Sequence, residues 1–390
     1  MTVSLGRPSV SLLSTGEDVI PAADRTARAL GSPAGARPFP GGPALGSGPP
    51  SVSVVVTDYG RRQFIRDAIH SVLSQSLRRE QFEVIVVKDY DDAEIDSYLT
   101  VNGVRTITND TFRVGTMLAE GVEEARGEIV CFLDDDDRFK PQKLARVVAR
   151  FRADPHLGLI RNAYEPIDVL GKHLASWYRF RPQPTQSVTI AGSEDGAGLL
   201  PWIFRFGAYT NMSTYSVRRE MLRRWLPELR QLSTAQDLFL LVIASLSGYS
   251  QQLDPSVWNE FRVHASTSHP AIAQQPADTE IQNLSGSVGT AGRLLEMLRS
   301  ADHGGLAYRL TKSFELDAKV ARFLLDPREK LELIDWITFS RVVAWCRRPY
   351  LAMEWLWCVP RWLFPSWASR LYCARRRSDI RRCVRPSGPT

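Results

Sequence analysis

An α/β fold, with a mostly parallel sheet flanked by helices, is predicted by the order of segments after residue 50. Three short apolar runs, at 52–56, 82–87 and 129–133, have the length and the β-branched content of buried strands. Segments of helical periodicity alternate with them, and this order with short links is typical of a parallel sheet covered on both faces. Functional residues in such sheets gather at the carboxyl ends of the strands.

The individual elements follow from the residue pattern. Residues 64–73 place their apolar side chains on one helical face, and a weaker strand is predicted at 104–108. A second helix is predicted at 114–125, where Gly127 is placed to end it. Helical periodicity returns between residues 286 and 345, which predicts a C-terminal helical extension.

The two ends of the chain differ in composition from the region between them. Residues 1–50 contain eight prolines and eight glycines, so they are predicted to form a disordered leader. Eleven arginines and two acids give residues 341–390 a net charge of +9, whereas the whole chain carries +6 and the remainder −3. Such a tail favours anionic partners, namely a lipid surface, nucleic acid or an acidic protein.

Cysteine usage and the apolar segments indicate a reduced, cytoplasmic location. The five cysteines include no Cys-x-x-Cys pair, so neither a disulfide framework nor a zinc site is expected. Glu17 and Asp18 interrupt the first twenty residues, so no secretory signal is predicted. No stretch of about 18 residues is apolar enough to predict a membrane span.

The four aspartates Asp134–Asp137 are the strongest chemical signal in the sequence. Neighbouring carboxylates repel each other, and they follow a predicted buried strand directly. A divalent cation would account for this arrangement, because hard cations take oxygen ligands, and it could neutralise a nucleotide diphosphate. A solvated acidic turn is the alternative, and the run alone does not decide between them.

Several blocks in a fixed order resemble family 2 glycosyltransferases of the GT-A fold. The opening blocks are Ser-Val-Ser-Val-Val-Val-Thr-Asp-Tyr-Gly-Arg at 51–61, Ser-Val-Leu-Ser-Gln-Ser at 71–76, Phe-Glu-Val-Ile-Val-Val-Lys-Asp at 82–89 and Ala-Arg-Gly-Glu-Ile-Val-Cys-Phe-Leu-Asp-Asp-Asp-Asp at 125–137. The closing blocks are Gln-Asp-Leu at 236–238 and Phe-Arg-Val-His at 261–264. The resemblance covers more than half of the chain.

The resemblance implies a domain organisation around a Rossmann-like GT-A sheet. A glycosyltransferase domain is expected at 51–270, with residues 160–235 facing the acceptor. The disordered leader at 1–50 precedes it. A helical extension at 271–345 and a tail at 346–390, rich in tryptophan and arginine, are expected to follow it.

Roles for single residues are also implied by the resemblance. Thr57 and Tyr59 are expected to line the nucleotide pocket, and Asp89 is expected to bind the base. Arg113 is a candidate for stabilising the leaving diphosphate. The predicted donor-binding set is therefore Thr57, Tyr59, Asp89, Arg113, Asp134 and Asp135.

The metal and the catalytic base are assigned in the same way. Asp134 and Asp136 occupy the outer places of the Asp-x-Asp motif, with Asp136 as the direct ligand of Mn²⁺ or Mg²⁺ and Asp134 near the ribose or the metal. His264 corresponds to a residue that meets the metal or the pyrophosphate. Asp237 corresponds to the catalytic base, at a helix start where the dipole favours its ionised form.

Some features depart from the family pattern or have simpler explanations. Lys88 stands where a carboxylate is common, and Gly60 ends a block that usually reads Pro-Thr-Tyr-Asn. Gln236 replaces a glutamate but leaves Asp237 in place. Taken alone, Asp237 is a candidate helix N-cap, and His264 is a candidate core or surface histidine.

The function implied is that of a metal-dependent, inverting hexosyltransferase. It would move a sugar from a nucleotide-diphosphate donor to a hydroxyl of a glycan or lipid-linked acceptor. The alternative is a catalytically silent protein of the same fold that acts as a binding or membrane-scaffold subunit. A nucleotidyltransferase is disfavoured, because no glycine-rich loop bearing a lysine follows the first strand.

The tail predicts attachment to an anionic membrane surface. Tryptophan and arginine together favour a membrane interface, and the prolines and arginines favour lying on the surface over spanning it. The alternative is a helical pack against the catalytic domain. Nucleic acid is not expected, because no recognised motif accompanies the basic residues. The predicted location is therefore cytoplasmic and peripheral, at the inner face of the membrane. The five tryptophans are Trp345, Trp355, Trp357, Trp362 and Trp367.

Overall fold

The three apolar runs form neighbouring parallel strands at the centre of one sheet. The computed structural model describes residues 50–60, 62–111, 113–174, 185–190, 203, 210–264, 277–298, 305–346 and 349–384. The predicted leader and parts of the 160–235 segment lie outside the described residues. The strands are β1 (Val52–Asp58), β2 (Phe82–Lys88), β3 (Arg105–Thr108), β4 (Ile129–Asp134), β5 (Arg138–Phe139), β6 (Leu157–Ile167), β7 (Val188–Ile190), β8 (Tyr215–Arg218) and β9 (Ser250–Arg262).

The helices alternate with the strands as far as β6 and then accumulate toward the C-terminus. Those of the first half are α1 (Ile65–Leu73), α2 (Ala93–Val101), α3 (Val114–Glu124) and α4 (Lys143–Ala153). Those of the second half are α5 (Arg219–Arg223), α6 (Leu226–Arg230), α7 (Gln236–Leu246), α8 (Ala277–Leu298), α9 (Leu306–Leu325), α10 (Leu333–Cys346), α11 (Pro349–Leu363) and α12 (Pro365–Val384).

Among the described residues the sheet runs in the order β3-β2-β1-β4-β8-β6-β9-β5, and β7 pairs with β9. Strands β3, β2, β1 and β4 are parallel to their neighbours, whereas β8 is antiparallel to both β4 and β6. The α/β prediction is confirmed for this parallel half. The sequence pattern did not predict β6, β8 or β9, because their residues mix polar and apolar side chains without a clear period.

Burial explains why the parallel half forms. Every residue of β1 and β2 is buried, as expected for strands covered on both faces. Helix α1 buries one face through Ile65, Ala68, Ile69 and Val72, which matches its predicted apolar stripe. Helix α2, which the pattern did not predict, begins at Asp92, whose carboxylate accepts hydrogen bonds from the Glu94 and Ile95 amides.

The C-terminal helices pack on the sheet domain and on one another. Helix α9 packs against α7 and α8, and both α11 and α12 pack on α9. The segment predicted as a tail is therefore helical and rests on the helical extension. No helix within the described ranges is long and apolar enough to cross a membrane.

Candidate active site

The carboxyl ends of β1 and β4 bring Thr57 and the four-aspartate turn together. Thr57 pairs with Asp134 in the parallel register, and the Thr57 hydroxyl donates to Asp134 Oδ1 at 3.4 Å. The Asp135 amide donates to the Thr57 carbonyl at 3.2 Å, so the acidic turn is tied to the end of β1. Parallel pairing thus unites residues that lie almost eighty positions apart in the sequence.

Three of the four aspartates converge on one point. Ligand atoms of Asp134, Asp136 and Asp137 all lie within 4.8 Å of one another. Asp135 is fully buried and is not one of this group. Its charge instead acts on Tyr90, on the β2 side of the turn. The third acid of the cluster is therefore Asp137, which the sequence reasoning did not single out.

The surroundings of Asp137 fit a bound cation. Its Oδ1 accepts from the Arg262 amide at 2.9 Å, while its buried Oδ2 has no hydrogen-bond partner among the described residues. Burial, together with the charges of Asp136 and Asp134, raises the pKa of the Asp137 carboxyl well above its usual range. A divalent cation would relieve this repulsion and take the free oxygen, because hard cations prefer oxygen ligands.

His264 and Arg262 close the cluster from the end of β9. The His264 Nε2 lies 2.8 Å from Asp136 Oδ2, and its buried ring packs on Phe64 with centroids 5.0 Å apart. The guanidinium of Arg262 donates through Nε to the Asp136 carbonyl at 2.8 Å. His264 can thus orient Asp136 or offer a nitrogen to the cation. Arg262, which is absent from the predicted set, stabilises the acidic turn through its bond to the Asp136 carbonyl.

Asp237 lies beside the cluster, in the first turn of α7. Ala235 is the N-cap residue, so Asp237 does not occupy the capping position. Its Oδ1 accepts from the Leu238 amide at 2.9 Å. Burial raises the pKa of Asp237 to about 7, and the charge of Asp134 adds to this effect. The helix start was expected to favour the ionised carboxylate, but burial outweighs that effect.

The residues predicted to bind the nucleotide lie after β1 and β2. Tyr59 and Asp89 are both half-buried, and a Cβ placed on Gly60 would lie 3.9 Å from Asp89 Oδ1. The Tyr90 hydroxyl donates to Asp58 Oδ2, which ties the two strand ends together. The predicted residues Tyr59 and Asp89 therefore lie on the neighbouring loops that follow β1 and β2.

The charge of Lys88 is paired with an acid of α2. Its buried ammonium lies 3.0 Å from Asp96 Oδ1 and also donates to the Tyr90 carbonyl. The departure from the family pattern at Lys88 is therefore balanced locally, by an acid of α2.

Arg113 is exposed at the residue before α3. Within the described part of the chain its guanidinium makes no ion pair with the acidic cluster. The Gly115 amide donates to the Leu232 carbonyl at 3.1 Å, so this helix start lies beside the segment that leads to Asp237. The role of Arg113 stays a prediction.

The sheet ends in a carboxylate cluster, and a neighbouring helix carries a further acid. Together with the known proteins that this chain matches, the arrangement identifies a glycosyltransferase of the GT-A fold. Residues 53–209 match the family described as glycosyl transferase family 2. The match assigns these residues, rather than the whole chain, to that family.

Relatives and solved structures agree with this assignment. The chain is 24% identical over 281 residues to the uncharacterized glycosyltransferase alr2836 of Nostoc sp., covering 68% of this chain and 83% of that protein. It is 33% identical over 112 residues to the putative teichuronic acid biosynthesis glycosyltransferase TuaG of Bacillus subtilis, covering 25% and 40%. Staphylococcus aureus TarS 1–349, solved with UDP-GlcNAc, shares the fold with a TM-score of 0.51 and 16% identity, covering 86% and 90%.

Proposed function

We propose that this glycosyltransferase moves a sugar from a nucleotide-diphosphate donor to an acceptor hydroxyl in one inverting displacement that depends on a divalent cation. The observation that carries the proposal is the convergence of Asp134, Asp136 and Asp137 within 4.8 Å, next to Asp237. This complete set favours an enzyme over the catalytically silent alternative.

The cation, Mn²⁺ or Mg²⁺, would be held by Asp134, Asp136 and Asp137. When bound, it neutralises the charge that develops on a leaving diphosphate. His264 would orient Asp136 through their 2.8 Å contact, or ligate the metal itself. The free Oδ2 of Asp137 supports this assignment.

The donor would lie across the ends of β1 and β2. Thr57, Tyr59 and Asp89 would contact the nucleotide, and Asp135 would support that side of the turn. Arg113 would approach the diphosphate from the start of α3. The UDP-GlcNAc complex of TarS, a protein of the same fold, supports a nucleotide sugar as the class of donor.

Asp237 would act as the base. A carboxylate with a pKa of about 7 can take the proton of an acceptor hydroxyl as its oxygen attacks the anomeric carbon. The proton moves to Asp237 and the diphosphate leaves with the electron pair of the broken bond. A single displacement inverts the anomeric configuration and needs only one carboxylate in this role.

Asp136→Asn tests the metal part of the proposal. Transfer and donor hydrolysis, assayed against a panel of nucleotide sugars, should fall to background, while the fold survives because one charge leaves a repulsive cluster. Asp335→Asn, which removes a carboxylate of α10 paired with Lys319 at 3.6 Å, is the matched control and should keep full activity. Full activity of the wild type in excess chelator would refute the metal requirement.

The proposal for the acceptor is based on the two faces of the C-terminal helix α11. The face of α11 toward α9 buries Glu354, Cys358 and Arg361, and the Arg361 guanidinium donates to the Asp326 carbonyl at 2.6 Å. The opposite face exposes apolar residues, which continue onto the start of α12. We name this surface the apolar corner: Leu356, Val359, Trp362, Leu363, Phe364, Trp367 and Leu371, each between 41% and 67% exposed.

The apolar corner, within a segment of net charge +9, supports attachment to an anionic membrane surface. One face of α11 packs on α9, which belongs to the helical extension and not to the catalytic domain, and the other face is exposed and available for a membrane surface. The enzyme would then lie at the inner face of the membrane, and its acceptor would be lipid-linked or a cell-surface glycan.

A further inference from the structure

A four-residue turn, Asn211–Thr214, contacts both halves of the active site. The Asp134 amide donates to Ser213 Oγ at 3.0 Å, and the Ser213 side chain lies close enough to the Asp137 carboxyl to favour its ionised form. The Asn211 backbone likewise lies close enough to Asp237 to oppose the rise in the pKa of that carboxyl. One short element therefore touches two acids of the metal cluster and the candidate base.

Buried polar side chains hold the Ser213 carbonyl from behind. The Lys143 ammonium donates to it at 2.6 Å, and the Asn259 amide group donates to it at the same distance. Lys143 also donates to Asn259 Oδ1 at 2.8 Å, as does Asn162. All four residues are buried, and a connected buried network of this kind rigidifies its members.

The backbone at both ends of this arrangement is strained. Asn211 has φ of 72° and Ala235, two residues before Asp237, has φ of 60°. In the part of the chain that the structure describes, these are the only non-glycine residues with positive φ. The Asn211 carboxamide compensates by accepting from the Ser213 amide at 3.1 Å. Strained backbone persists where the surrounding structure over-determines it, and it clusters at active sites.

We infer that Ser213 is a positioning residue that sets the acidic turn for the cation and aligns it with Asp237. The inference rests on the proposed metal site. Its physical reason is that the Ser213 hydroxyl accepts from the Asp134 amide and lies beside the Asp137 carboxyl, so the positions of both acids depend on one side chain. Lys143 and Asn259 fix that point, and Asn211 extends it to the base.

Ser213→Ala is the direct test, and Thr214→Val is its matched control. Both remove one buried hydroxyl from the same turn, but the Thr214 hydroxyl donates to the Asn211 carbonyl, at 2.7 Å, and to no acid in the part of the chain that the structure describes. In a calorimetric titration with Mn²⁺ alone, Ser213→Ala should weaken binding about tenfold or more, as loss of an outer-shell partner does. Thr214→Val should lose similar thermal stability and keep the wild-type affinity.

Ser213→Cys covers the case of an alanine variant that does not fold. Its thiol is a weaker donor and acceptor of similar size, and Mn²⁺ prefers oxygen ligands to sulfur. The Mn²⁺ affinity of Ser213→Cys should fall below that of the wild type, and where the alanine variant folds it should lie between the two.

The outcomes separate the two proposals. A wild type that binds no Mn²⁺ would refute the proposed metal site and this inference with it. Wild-type binding that is unchanged in Ser213→Ala and Ser213→Cys, or weakened equally by Thr214→Val, would refute the positioning role alone.

Discussion

Asp237 shows how position changes the chemistry of one carboxyl group. At the start of a helix the dipole would lower its pKa, yet burial and the nearby charge of Asp134 raise the pKa to about 7. The residue is thus half protonated near neutral pH, where a base is most effective. A cation on the acidic cluster would offset the charge of Asp134.

We predict that Asp237→Asn lowers kcat by about a hundredfold or more, because the amide cannot accept the proton of the acceptor. Donor binding, measured by calorimetry, should barely change. A variant that loses donor binding together with its fold would instead indicate a structural role for Asp237.

The thermal stability of Asp237→Asn tests the raised pKa of Asp237 independently of activity. Because the pKa of Asp237 is raised in the folded state, the folded protein loses stability as the pH rises from about 4 through about 7. Asp237→Asn should therefore have a higher Tm than the wild type at pH 8, and the difference should vanish toward pH 4. A lower Tm at pH 8 would contradict the raised pKa.

At the scale of elements, close approach of α3 to the sheet depends on a glycine. A Cβ on Gly121 would lie 2.4 Å from Val55 Cγ1 of β1. Gly289 in α8 offers a contrast, because it is exposed and a Cβ there would meet nothing within 4 Å. The two helical glycines thus have different physical reasons to be present.

Gly121→Ala should lower the free energy of unfolding by about 1–2 kcal/mol, since overpacking exceeds the gain in helix propensity. Gly289→Ala should raise it by up to about 1 kcal/mol. Urea denaturation measures both. Equal effects of the two substitutions would mean that α3 does not need its close approach to β1.

At the scale of the whole molecule, the C-terminal helices link the catalytic domain to the apolar corner. Helix α7, which carries Asp237, packs on α9, and α9 supports α11 and α12. A membrane-bound apolar corner would therefore hold the sheet at a fixed distance from the lipid surface. Deleting the whole tail would uncover α9, so single substitutions are the cleaner test.

We predict that the full-length protein sediments with vesicles containing phosphatidylserine and does so less as salt rises. Trp362→Glu with Trp367→Glu should remove the binding that resists salt, because these side chains are 67% and 55% exposed. Val101→Glu, which changes an 86% exposed residue of α2, is the control and should bind as the wild type does. A wild type that never sediments would refute membrane attachment.

The sequence alone determined the parallel half of the fold and the position of its acids. Strand runs such as 82–87 are local and apolar, and acids that end parallel strands must share one edge of the sheet. The family blocks then indicated Asp134, Asp136, Asp237 and His264, and the structure brings these four side chains to one site.

Only the tertiary structure decided which neighbours complete the site. Asp137 joins the cluster because the turn directs it inward, and Ser213 contacts the Asp134 amide from the turn before β8, a segment without a clear periodic pattern. The raised pKa of Asp237 and the two faces of α11 depend on burial by distant segments. Local sequence encodes period and propensity, but burial and long-range hydrogen bonds exist only once the chain has folded.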